Sequence, residues 1–438
     1  MHSGPVSRRT FLKAAGLAGT APAVLLGRSQ PTQAVSANDS IQIGLIGAGG
    51  MGMADARTAL SVGGVKLIAA CDLYDGRLAL AKKEWGEDLF TTRDYREVLA
   101  RGDIDAVIVG TPDHWHQQIS MDALLSRKAV YCEKPMVHSL DEGRSVIEAQ
   151  QKSGKVFTVG SQGLSSLGNE KAKELLAEGA IGTLNYAEGF WARHSPVGAW
   201  QYPIPEDASE ENVDWERFLK GKKKPFDAMR FFRWRNYLDY GTGMSGDLFV
   251  HLFSSLHFIT GSPGPNKIYA AGGLRYWKDG REVPDILIGV FDYPECEQHA
   301  GFNLSLRCNF VDGTSGSTYL KLVGNEGSMD VLWDEVILRR NKSPELDEFA
   351  REKAKEAPSY QDRKRMLPPE EIAFRAEQDY KGAHYDHFAN FFSAVRGGKP
   401  VVEDAVFGFR AAAPALACND SYSRNEIVHW NPVAMKRI

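Results

Sequence analysis

Ile41-Gln42-Ile43-Gly44-Leu45-Ile46-Gly47-Ala48-Gly49-Gly50-Met51-Gly52 runs from a short apolar segment straight into glycines. Ile41, Ile43, Leu45 and Ile46 suit a strand buried on both faces of a parallel sheet. The glycines then fall as G-x-G-x-x-G at Gly47, Gly49 and Gly52, and residues 51–60 read as a helix. Each position has a physical reason. Gly47 makes the tight turn, Gly49 lets backbone approach a pyrophosphate, and Gly52 lets helix pack on strand. Met51 opens the helix, whose N-terminus faces the anion. In a chain with 43 glycines one such motif is weak, so its surroundings must carry the argument.

Those surroundings are consistent. A second apolar run over 65–71 ends at Asp72, twenty residues past Gly52, where a carboxylate would accept the ribose hydroxyls of a dinucleotide. Asp72 could instead cap the helix expected over 77–85, but the order strand, glycines, helix, strand, acid favours the ribose role. An acid there repels a 2′-phosphate, which favours NAD, while Arg77 nearby leaves NADP open. A third strand over 104–110 runs into Thr111-Pro112-Asp113-His114-Trp115-His116. A helix over 117–126 and a strand over 129–132 follow, and then Glu133-Lys134-Pro135. This alternation calls for a doubly wound parallel sheet over 41–160. The loops leaving the carboxyl ends of its strands would form the ligand crevice.

Taken together, the G-x-G-x-x-G with Asp72, the Thr111-Pro112…His116 stretch and the Glu133-Lys134-Pro135 triplet resemble the Gfo/Idh/MocA oxidoreductases. The resemblance spans nearly all of 41–438, and the E-K-P triplet is its most specific part. It implies that Glu133 and Lys134 sit beside a nicotinamide, with Lys134 also touching the reacting hydroxyl. It also implies that Thr111, Pro112 and His116 line the cofactor groove. By spacing alone Lys134 could equally be a solvated lysine at a strand end.

Past residue 160 the texture changes. A short helix over 171–176 is followed by strands over 184–191, 268–277, 286–291, 300–310, 317–323 and 336–340, several separated by hairpin signals such as Asp312-Gly313. Residues 161–438 thus read as a substrate domain built on a large, mostly antiparallel sheet. The charged stretch 341–381 reads as an exposed helical insertion, and helices over 384–395 and 407–422 close the domain. Within it, Gly241-Thr242-Gly243-Met244-Ser245-Gly246-Asp247 opens a helix that carries His251. Asp247 and His251 are four apart and would share one helical face. An acid beside a histidine suits a base that takes a hydroxyl proton, with a pH limb near neutrality. The pair could also be a dipole-favoured Asp and an incidental histidine. The resemblance favours His251 as base, with Asp247 as its partner or a substrate ligand. Two such residues make a weak metal case, and no metal site is expected. Trp191, Arg193, Trp234, Arg235 and Tyr237 are candidates for a sugar-binding wall, with His194 beside them. Phe231, Phe232 and His257 read as structural.

Composition and termini set the context. The net charge of −4 gives no reason to expect a nucleic-acid partner. Residues 1–37 hold Ser7-Arg8-Arg9-Thr10-Phe11-Leu12-Lys13, a mild apolar run and a small-residue end at Val35-Ser36-Ala37. This resembles a twin-arginine export signal, which implies a translocase partner for the precursor and a soluble periplasmic product. Loss of its four cations would take the net charge to −8. No later stretch is apolar and long enough to span a membrane. The expected activity is NAD-dependent oxidation of a secondary hydroxyl on a sugar or cyclitol, with retained cofactor and a homo-oligomeric assembly. Two other readings stand beside it. One is an NAD-dependent glycosidase acting through transient oxidation and elimination, whose exported members carry another residue where Lys134 stands. The other is a non-catalytic sugar or cofactor sensor, for which Lys134, Asp247 and His251 together have no use.

Overall fold

The structure, a computed structural model, describes residues 23–27, 40–314, 316–341, 352, 356 and 369–438. Arg8, Arg9 and the expected cleavage region lie outside the described residues. After a short edge strand, β1 (Ala23–Leu26), the chain lays down β2 (Ile41–Ile46), β3 (Val65–Cys71), β4 (Phe90–Thr92), β5 (Ala106–Val109), β6 (Ala129–Cys132) and β7 (Phe157–Val159). These six form one sheet in the order β4-β3-β2-β5-β6-β7, and every neighbouring pair is parallel. Ile43, Leu45, Val107, Ile108, Val130 and Tyr131 are all fully enclosed, as a sheet covered by helices on both faces requires. Strand β4 was not foreseen, because three residues are too short to show alternation.

The second sheet is built from β8 (Leu184–Ala192), β9 (Lys267–Gly273), β10 (Ile286–Tyr293), β11 (Phe302–Asn309), β12 (Tyr319–Gly324), β13 (Gly327–Val331), β14 (Glu335–Arg340), β15 (Glu370–Ala376), β16 (Val428–Asn431) and β17 (Lys436–Arg437). With β1 they run β1-β15-β14-β13-β12-β8-β11-β10-β9-β16-β17. Only the β1–β15 and β8–β11 pairs are parallel. The sheet is two-faced. Along β10, Leu287 and Phe291 are buried while Ile288 and Val290 face outward, so one face packs on helices and the other stays open.

One expectation needs correcting here. The end of the 341–381 stretch is not helical: Glu370–Ala376 is strand β15, antiparallel to β14, with Ala373 and Phe374 buried. Its charges mask the strand because they pair across it, Arg339 with Glu371 and Arg375 with Glu335. The core of the stretch lies outside the described residues. Ala23–Leu26, which falls in the apolar run of the expected leader, pairs with β15.

Two long-range returns shape the cleft between the sheets. Helix Ala383–Val395 comes back to the first sheet, packing Phe388, Phe391 and Phe392 against Ile43, Leu45 and Tyr131. The excursion after β8 folds into its own aromatic cluster, which takes in Tyr74, Val213, Phe218, Phe231 and Tyr240. It is stitched to the β3 exit by Asp75 N donating to Asn212 O at 3.0 Å and Asp214 N donating to Leu73 O at 2.8 Å.

Candidate functional site

The carboxyl ends of β2 and β3 build a cradle. Gly47 has φ +95°, and a Cβ there would meet the Gly110 carbonyl at 2.6 Å, so glycine is required twice over. A Cβ on Gly52 would sit 1.9 Å from Gly47 O, which fixes the close crossing of helix Gly50–Ser61 over the strand. Around Gly49 the space is open, the nearest group being the Arg77 guanidinium at 3.7 Å from an added Cβ. Asp72 is buried at this edge. Its Oδ2 accepts from Ala48 N at 2.8 Å, and its Oδ1 accepts from Tyr74 N at 3.1 Å and Arg77 Nη1 at 3.4 Å. Asp72 thereby also holds the glycine loop, a task the sequence did not announce.

Two hollows of about 630 and 510 Å³ share Gly47, Asp72, Arg77, Thr111 and Pro112. The first extends under Arg93, Arg217 and Lys220, and the second continues past Met51 and Glu133 to Lys134, Asp247 and His251. The buried Thr111 hydroxyl has no partner in this groove. Open glycine backbone, a helix N-terminus, a carboxylate and an unpaired hydroxyl along one groove fit a dinucleotide with its pyrophosphate over Gly49.

At the far end Lys134 and Asp247 meet across 113 residues of sequence. Lys134 Nζ donates to Asp247 Oδ1 at 2.8 Å and to the Asp247 carbonyl at 3.0 Å. Arg235 Nε donates to the same Oδ1 at 3.2 Å. Burial alone would raise the Asp247 pKa, but Lys134 and Arg235 outweigh it and hold this carboxyl well below the usual range. Asp247 lies in a π-helical turn, Ser245–Phe249, that leads into helix Val250–Thr260. That wider turn breaks the four-residue register, so Asp247 partners Lys134 and makes no hydrogen bond to His251, contrary to the expected pair.

His251 instead stacks on Trp191, with centroids 4.8 Å apart and planes 17° apart. Its buried Nδ1 has no hydrogen-bond partner. Burial, then Lys134, drives its pKa well below 6.5, with Asp247 opposing, so the ring is neutral at neutral pH. The proton-accepting limb therefore belongs on the acid side, not near neutrality. Glu133 Oε1 accepts from Gln162 Nε2 at 2.7 Å, and burial raises its pKa.

Six further candidates are not all placed alike. Trp191, Arg193, Trp234 and Arg235 line the cleft beside His251. Tyr237 does not: it is buried in the aromatic cluster beneath the Arg230 guanidinium, 4.2 Å from its ring centre. An aromatic-rich run offers several rings of similar appearance, and only the fold decides which face inward. His116 also leaves the groove wall. Its Nδ1 faces Pro135 O at 2.7 Å and its Nε2 faces Thr111 O at 2.9 Å, so it braces the two loops from behind. Phe231 and Phe232 pack as expected, and His257 Nε2 bonds the Tyr293 hydroxyl at 2.9 Å. Sequence reasoning missed Trp333, in the β13–β14 turn, and His384, at the start of helix Ala383–Val395, both of which line the cleft. It also missed Gln162, which the rule placing ligands beyond parallel strand ends could have found after β7. Among the described residues no group of three His, Cys, Asp or Glu could hold a metal ion, and no helix is long and apolar enough to cross a membrane.

Fold and cleft together define a dinucleotide-binding protein, a Rossmann domain facing a large antiparallel sheet. Residues 41–161 match the GFO_IDH_MocA model, described as "Oxidoreductase family, NAD-binding Rossmann fold". It is similar to an inositol 2-dehydrogenase of Salmonella paratyphi B, 28% identical over 166 residues, covering 37% of this chain and 49% of the relative. It is also similar to a glycosyl hydrolase family 109 protein of Shewanella baltica, 29% identical over 179 residues, covering 35% and 39%. The chain thus spans about half the length, or less, of the curated relatives it matches. The fold is shared with the WlbA dehydrogenase of Bordetella pertussis in complex with NADH and UDP-GlcNAcA. That match has a TM-score of 0.66 and 16% identity, and covers 90% of this chain and 99% of that one.

Proposed function

We propose that the protein is an NAD-dependent oxidoreductase acting on a secondary hydroxyl of a sugar or cyclitol. The observation that carries this is the Lys134–Asp247 pair set against neutral His251 at the end of the dinucleotide groove. A bound nicotinamide supplies the hydride-accepting chemistry. The chain does the rest. Neutral His251 takes the hydroxyl proton. Lys134 stabilises the oxyanion that develops as the proton leaves, and Asp247 fixes the ammonium on which that depends. Glu133, held by Gln162, closes the wall beside Lys134. Trp191 keeps the His251 ring in place and presents a face to the substrate.

Asp214, Arg217, Phe218 and Lys220 of the excursion stitched to β3 line the hollow beside Asp72, which supports a cofactor held through many turnovers. Tight retention means a dissociation constant below micromolar, at least ~8 kcal/mol of binding. We further infer export by the Arg8-Arg9 leader and a second copy over the open face around Ile288 and Val290. Removal of the leader would take β1 with it and leave β15 as an edge.

The match to a glycosyl hydrolase family 109 protein supports a second reading, redox-neutral cleavage through transient oxidation. One experiment separates them. Incubation with NAD and a panel of free sugars, cyclitols and aryl glycosides, followed by mass spectrometry, should give a carbonyl product lighter by two hydrogens. Release of aglycone with no net change in NAD would establish the second reading, and no conversion of any member would refute both.

A further inference from the structure

The substrate end of the cleft carries more positive charge than the reaction requires. Lys134, Arg193 and Arg235 line it, against the carboxylates of Asp247 and Glu133. Burial favours the neutral acid at Glu133, and both histidines of the wall, His251 and His384, are pushed by burial toward the neutral ring. The cleft therefore holds at least one uncompensated cation.

The two arginines are placed to use it. Arg235 is anchored through Nε alone, to Asp247, and its guanidinium carbon lies 4.2 Å from the Trp234 ring centre. Stacked and tethered in this way, it lines the cleft with both Nη groups free of hydrogen-bond partners among the described residues, and a planar guanidinium can meet a carboxylate in two parallel hydrogen bonds. Arg193, at the end of β8, is exposed, and no ion pair or hydrogen bond engages it among the described residues. It lines the same cleft as Asp247 and His251, and its charge acts on both. Trp191, Trp234 and Trp333 complete the wall with apolar faces suited to a pyranose ring.

We propose that the substrate carries a carboxylate, a uronic or aldonic acid, gripped by Arg193 and Arg235 while its secondary hydroxyl faces Lys134 and His251. This deepens the oxidoreductase reading and rests on it. A neutral sugar would leave the two guanidinium groups with only water to bind. A free carboxylate replaces that water with charge-assisted bonds, and added salt should weaken its binding.

The test is tryptophan-fluorescence titration of the NAD-loaded protein with D-glucuronate, D-glucose and D-glucose 6-phosphate, in wild type and in Arg193→Gln and Arg193→Lys, alongside turnover. D-Glucuronate should bind about tenfold or more tighter than D-glucose in wild type. That ratio should collapse toward one in Arg193→Gln and recover in part in Arg193→Lys, which keeps charge without the fork. Equal binding of acid and neutral sugar, an unchanged ratio in Arg193→Gln, tighter binding of the phosphate, or no binding of any probe each overturns the proposal. Turnover of neutral sugars with no preference for acids would sink it and leave the oxidoreductase standing. Tight acid binding without any oxidation would do the reverse.

Discussion

Replacing Lys134 by alanine removes one amine and two hydrogen bonds, both to Asp247. A donor aimed at a developing oxyanion in a water-poor site is worth about 10²–10³ in rate, or about 2.7–4 kcal/mol. Asp247 keeps Arg235, so its carboxylate is not left alone, and the structural cost should fall near the lower end of the ~3–5 kcal/mol for breaking a buried pair. The variant should therefore fold, bind NAD with near-normal affinity and lose at least about a hundredfold in kcat. Lys134→Met, which restores volume without the amine, should recover stability and no activity. Steady-state kinetics on the substrate from the sugar panel, NAD titration and thermal melts read the three effects separately. A Lys134→Ala enzyme within threefold of wild-type kcat would refute the oxyanion role. A variant whose loss lies wholly in NAD affinity would move Lys134 to the cofactor.

Three other outcomes follow from the geometry. Wild-type kcat/KM should fall only on the acid side of pH 6.5, because burial holds His251 neutral down to lower pH, and His251→Ala should lose that limb with about 10²–10⁴ of the rate; a variant that keeps the limb excludes His251 as the base. Asp72→Ser removes both the repulsion of a 2′-phosphate and an acceptor for Ala48 N, so NAD should bind more weakly and the NAD-to-NADP affinity ratio should fall about tenfold or more, as isothermal titration would show; an unchanged ratio contradicts the ribose assignment. Burial lowers the His257 pKa to about 3 from 6.5, so the unfolded chain binds the extra proton between those values and stability contributed there is lost as pH falls. His257→Gln should flatten denaturant-derived stability against pH by about 1.4 kcal/mol per unit between pH 6 and 4, and an unaltered slope would show that the ring is not held neutral.

The cofactor half was legible because its demands are local. A turn at positive φ, a backbone crossing and a carboxylate at a strand end each dictate a residue type at a fixed spacing, and Gly47, Gly52 and Asp72 answer them within one βαβ unit. The reacting centre was legible only in its parts. Lys134 and His251 could be picked out, but the fact that Asp247 belongs to Lys134 depends on a π-helical turn, which no spacing rule for α-helices anticipates. Tyr237 and His116 illustrate the same limit. Both carry functional chemistry, and only packing shows that one lies under Arg230 and the other behind the loops. Strand β15 was hidden by charges that pair across the sheet edge, and Trp333 and His384 by lying 82 and 133 residues beyond His251.

The proposed chemistry is direct transfer of hydride from a substrate carbon to nicotinamide at the Lys134–His251 centre. It is tested most directly by giving the enzyme its substrate deuterated at the reacting carbinol carbon and recovering the nicotinamide for mass spectrometry after one turnover. The account predicts one deuterium on the nicotinamide from wild type, formed about a hundredfold more slowly by Lys134→Ala. Oxidised product accompanied by unlabelled nicotinamide, with the deuterium lost to water, would contradict it.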